Sequence, residues 1–130
     1  MSDSLRLRAV GMLVLLLLIA VIGGSLALES SYDLAVLAGH IVLALLLVGL
    51  SAHVLLAAFR SFGSVAKVGG TIAFASVLGA TISGTVFLLG GGSNAALDGM
   101  EGFTIVALVG IVLLLVGGGA VKASPSAAPA

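Results

Sequence analysis

The chain is predicted to be all-α: an integral membrane four-helix bundle, antiparallel and up-down, with both termini cytoplasmic. Three observations lead there. Hydrophobic residues make up 61% of the chain and charged residues 8%, and the mean hydropathy is +1.39, a balance foreign to water-soluble domains. Four apolar runs, residues 9–28, 34–59, 68–89 and 103–121, approach or exceed the ~20 residues that a bilayer span needs. The charges then sort by side. With four spans, Arg6, Arg8, Arg60, Lys67 and Lys122 fall on one side and Glu29, Asp33, Asp98 and Glu101 on the other. The excess of basic residues marks the cytoplasmic face, which places the protein in the cell membrane as a multi-pass protein.

The first span, Ala9 to Leu28, carries no charge and follows Arg6 and Arg8. A cleavable signal peptide is the competing reading of these residues and of Ser25-Leu26-Ala27, but the apolar run exceeds a typical signal core. The link Glu29-Ser30-Ser31-Tyr32-Asp33 is short enough to make the first two helices antiparallel neighbours. The second span, Leu34 to Phe59, holds both histidines of the chain, His40 and His53. A basic, glycine-broken link, Arg60 to Lys67, leads to the third span, Val68 to Leu89.

That third span is built from small residues. Ala75, Gly79 and Ser83 form one stripe of period four, and Ser76, Ala80 and Gly84 form a second. Smooth faces of this kind allow close helix packing in a membrane; they would equally leave room for a flat macrocycle beside the histidine helix. Gly90 to Gly102 reads as a flexible, acidic link, and no Lys-Ser/Thr follows its glycines to make a phosphate loop. Phe103 to Val121 is the last span. Residues 1–121 thus form one transmembrane domain, and the proline-containing tail, residues 122–130, is expected to be disordered.

Composition also excludes classes of function. Five basic residues, balanced to a formal net charge of zero, make a poor nucleic-acid surface. The absence of cysteine removes disulfides, thiolate metal sites and covalent haem attachment. No Ser-His-Asp set or pair of membrane carboxylates supports hydrolysis or group transfer, so electron transfer is favoured over an enzyme with its own substrate.

Ionisable groups inside a bilayer cost free energy and mark function. Histidine there offers three uses: metal or haem ligation, proton transfer, or hydrogen bonding in packing. His40 and His53 lie about 19.5 Å apart along the helix, roughly symmetric about the span's midpoint. This pair resembles the arrangement in membrane b-type cytochromes, where one helix ligates two stacked haems, and the resemblance implies haem b held by His40, His53 or both. Thirteen steps at 100° leave the two side chains about 140° apart around the helix, so they face different neighbours. At 19.5 Å along one helix neither can complete the other's iron, and the second ligand comes from a homodimer that pairs the histidine helices or, inside the protomer, is a methionine or an open position. Met100 is at His40's level and Met12 at His53's. Arg60 lies about 10 Å beyond His53, placed for a haem propionate, and Gly49, one turn before His53, would admit a ring close to the backbone.

The whole chain looks like one half of a haem A synthase, on its four spans, Gly39-His40 near the outer end of helix two, and LGATISGTVFLLGG in helix three. That resemblance implies a four-helix bundle with haem between helices two and four, and leaves a haem-modifying enzyme as one alternative. This chain has Ile41 where that family has an Arg, and Met100-Glu101-Gly102-Phe103 where it has a second histidine. A non-catalytic accessory subunit of a respiratory membrane complex is the other alternative. Membrane lipid and a second copy of the chain are the expected partners, with a quinone or a respiratory complex as the candidate redox partner.

Overall fold

The computed structural model describes residues 2–29 and 33–118. The middle of the first link, the last residues of the fourth span, Lys122 and the tail lie outside the described residues. Four helices make up the fold: α1 (Ser2–Leu28), α2 (Leu34–Ser61), α3 (Ser64–Leu89) and α4 (Asn94–Gly117). Each is long and apolar enough to cross a membrane. Every helix also turns large apolar side chains outward, among them Val21, Leu45, Ile82 and Ile105, which is what a multi-pass membrane protein presents to lipid.

The helices outrun the apolar segments because a helix does not stop where hydrocarbon gives way to water. The clearest difference is in the third link. The flexible segment expected over residues 90–102 is confined to Gly90–Ser93, and Asp98, Met100 and Glu101 stand on α4. Gly91 and Gly92, at φ of 71° and 86°, make the turn. Ser93 then caps α4, its Oγ accepting the Ala96 N–H at 3.3 Å, and the Ala95-Ala96-Leu97 run that follows propagates helix well. The link between α2 and α3 similarly contracts to Phe62-Gly63. At the start of α2, Asp33 accepts the Ala35 N–H at 2.8 Å, placing a carboxylate at the positive end of the helix.

Around the bundle α1 lies beside α2 and α4, and α3 beside α2 and α4, whereas the backbones of the pairs α1/α3 and α2/α4 stay more than 8 Å apart. The bundle is therefore a square, with α2 and α4 on one diagonal. The α3/α4 side is by far the tightest. A methyl group added at Gly110 would lie 2.5 Å from the Ala73 nitrogen, and one at Gly69 would lie 2.8 Å from the Gly110 oxygen. These backbones meet because neither residue has a side chain, the packing that small residues supply where lipid leaves no hydrophobic drive.

The two halves of the bundle differ. One half is filled by a core of Leu5, Ala9 and Met12 from α1, Val54 and Ala58 from α2, Ala66 and Ala73 from α3, and Ile111 and Leu114 from α4. Leu16, Leu47, Val77 and Ala107, one from each helix, close that core and at the same time floor a cavity in the other half.

Candidate functional site

The cavity is about 510 Å³ and takes its walls from all four helices: α1 from Leu16 to Ala27, α2 from Leu37 to Leu47, α3 from Val77 to Leu88 and α4 from Leu97 to Ala107. Its size is in the range of small-molecule and cofactor sites. The open core follows from the square arrangement, since diagonal helices leave an axial space that only side chains can fill. In this half the residues facing inward include Gly23, Gly24, Ala80 and Gly84, which cannot fill it.

Among its lining residues only His40 and Glu101 are ionisable. His40 sits on the second turn of α2, with its imidazole turned toward the Ile19 backbone and laid over Gly23 of α1. A Cβ at position 23 would lie 2.8 Å from the ring's Cε1, so the glycine is what admits the imidazole. The ring's Nδ1 is buried without a hydrogen-bond partner. The threonines of the cavity are differently placed. Thr81, Thr85 and Thr104 donate their hydroxyls to Val77, Thr81 and Met100 carbonyl oxygens at 2.8, 2.9 and 2.7 Å, within their own helices. His40 is thus the side chain that brings uncommitted hydrogen-bonding or ligating capacity into an otherwise apolar space.

Met100 lines the same cavity from α4, diagonally across from α2. Its sulfur rests against Gly84, within 3.1 Å of where a Cβ would be. The structure therefore brings His40 and Met100 to one cavity. Glu101 stands beside Met100 on the lining and is itself exposed, which puts a carboxylate at the cavity's rim.

The other residues singled out by sequence lie elsewhere. His53 is exposed on the outside of α2, as are Gly49, with nothing within 4 Å of an added Cβ, and Arg60 at the far end of the helix. Met12 is fully buried in the filled half. Neither His53, Met12, Gly49 nor Arg60 lines the cavity. The two small-residue stripes of α3 separate as well. Gly79 and Ser83 pack on α4 through Phe103 and Gly99, while Ala80 and Gly84 form cavity wall.

The contribution of α1 had escaped sequence reasoning. Gly23 and Gly24 sit in an apolar run whose one polar residue nearby is Ser25, and only the short link to α2 hinted that they would be at His40's level. Among the described residues no group of three or more His, Cys, Asp or Glu converges as a metal cage would require. Any metal held here would be one that needs a single histidine or a His/Met pair from the protein, as haem iron does. Comparison with protein-family models, with curated proteins and with solved structures gives no match.

Proposed function

We propose that this chain is a membrane b-type cytochrome whose cavity would hold haem, with His40 and Met100 as the residues that would ligate its iron, and that it passes electrons within or across the membrane. The observation that carries the reading is His40: a buried, unpartnered imidazole nitrogen in an apolar cavity of cofactor size, with a methionine on the diagonal helix. Helices α2 and α4 are also the pair that would hold haem in the resemblance to a haem A synthase half.

The donor set and the cavity suit the group. A histidine and a methionine are the axial pair of many electron-transfer haems, which cycle iron between two oxidation states. The chain's own part is positional. Gly23 admits the imidazole and fixes where it stands, the α3 small residues leave space, and the floor of Leu16, Leu47, Val77 and Ala107 keeps the site dry from the filled side. Arg60, at the other end of α2, serves no group held at His40. Helices that run up and down with both termini cytoplasmic complete the proposal. Support comes from pairings such as Ala66 with Gly117 and Gly84 with Met100 across α3 and α4, and from Arg6, Arg8, Arg60 and Lys67 standing toward the filled half.

Visible spectra of the purified protein, oxidised and reduced, test this directly. After expression with ample haem, the wild type and His53→Ala should show a b-type spectrum and His40→Ala should lose it. A colourless wild type would overturn the reading and favour an accessory subunit of a respiratory complex.

A further inference from the structure

We infer that the cavity is entered sideways from the bilayer, through a cleft between two helix pairs, and that it takes long-chain amphiphiles whose hydroxyl head meets His40. The inference does not rest on haem binding; haem, where bound, would use the same entrance. In the cavity half of the bundle only two sides of the square are shut. The His40 ring on Gly23 joins α1 to α2, and Met100 on Gly84, Phe103 on Gly79 and Ser83 on Gly99 join α3 to α4. The other two seams, closed in the filled half, part here. Gly70 of α3 packs on α2, with Leu55 3.4 Å and Ala58 3.6 Å from where a Cβ would be. Leu88 lies five turns further along the same line of α3, yet it is 42% exposed while lining the cavity. Likewise Arg6 of α1 reaches the Leu115 carbonyl of α4 at 3.4 Å. Five turns on, Gly24 lines the cavity, is exposed, and would give an added Cβ no neighbour within 4 Å.

Both openings face hydrocarbon rather than water. Leu45 and Ile105 line the cavity two residues, about 3 Å, from Leu47 and Ala107 of its floor. They are nevertheless 61% and 63% exposed. A cavity reached from the helix ends alone would be least exposed at that depth. The end is instead covered: Leu26, Leu37, Phe87 and Leu97, one from each helix and each within three residues of its terminus, line the cavity and are buried or half-buried. What reaches His40 therefore comes out of the lipid, as a molecule with a long apolar part. The site asks for one polar group on it. His40 Nδ1 is buried without a partner, whereas the cavity's threonine hydroxyls are already donated to backbone carbonyls. A hydroxyl is donor and acceptor at once, so it satisfies either tautomer of a neutral imidazole.

The chain has no tryptophan, so a single introduced tryptophan reports on the cavity without background. The full chain, free of haem, would be reconstituted in phosphatidylcholine vesicles carrying Ala80→Trp on the α3 wall or Ala44→Trp on the α2 wall, with Ile82→Trp as a lipid-facing reference at nearly the same depth. Chain-brominated phosphatidylcholine should quench the wall tryptophans to an extent comparable with Ile82→Trp, and aqueous iodide should quench none of them. A chain-dibrominated stearyl alcohol, added to unbrominated vesicles, should quench the wall tryptophans at about two- to tenfold lower amounts than Ile82→Trp, the enrichment expected of one hydrogen bond. His40→Leu should erase that preference and leave quenching by the brominated phospholipid in place. Quenching of the wall positions by iodide, or by neither reagent, overturns the lateral entrance; equal quenching of wall and reference by the alcohol overturns the role of His40. Since no haem is present, these outcomes are independent of the visible spectra that test the cytochrome reading.

Discussion

His40 and His53 are the same residue type on the same helix, yet one faces a cavity and the other faces outward, because the thirteen-residue offset turns the second side chain away from the first. Their mutants should differ accordingly. Beyond the loss of haem in His40→Ala, the cradle can be tested from the opposite helix. Gly23→Val places a branched side chain where the imidazole now lies and should abolish haem binding, read from the visible spectrum, with helix content by circular dichroism unchanged. Met100→Leu keeps the volume but removes the sulfur; the spectrum should shift from low-spin toward high-spin, and the midpoint potential should fall, since methionine ligation raises it. Glu101 acts through charge. With haem bound as proposed, a carboxylate at the rim would favour the more positive ferric centre, so Glu101→Gln should raise the midpoint potential in redox titration at low salt.

At the scale of elements, α3 and α4 form the rigid side of the molecule. Their backbones touch through Gly69, Gly110 and Gly117, and no side chain can be accommodated there without separating the helices. Gly110→Leu should destabilise the fold by about 1–3 kcal/mol or more, seen as an earlier thermal transition in detergent. The existence of all four helices was legible in the sequence, because length and hydropathy decide it. Their ends were not. Hydropathy reports where hydrocarbon would stop, whereas α4 starts at the Ser93 cap, ten residues before Phe103. The cap was visible as a residue but not as a boundary, since the glycines and acids around it suggested an irregular link. The two α3 stripes were legible as smooth faces, but which face meets a neighbour and which meets a void depends on how the helix is rotated in the bundle, and that is set by contacts far apart in sequence.

At the scale of the whole molecule, the square arrangement decides where a ligand can go. The sequence placed Met100 at His40's level and Met12 at His53's, which is an argument about height alone. Height was insufficient: Met12 is walled into the filled half and His53 turned away from it, while Met100 shares a cavity with His40 because α4 stands diagonally opposite α2. Diagonal placement cannot be read from four apolar runs.

The layer of Leu16, Leu47, Val77 and Ala107, with the core beneath it, also has an electrical meaning. It is a low-dielectric plug in which, among the described residues, no charged side chain is buried; the buried polar side chains there are Ser51, whose hydroxyl is held by the Val48 carbonyl, and Ser76. A voltage across the bilayer would therefore fall over the plug rather than over an open axis. Vesicles densely loaded with this protein should hold a proton gradient as long as protein-free vesicles do, as monitored by a pH-sensitive dye trapped inside.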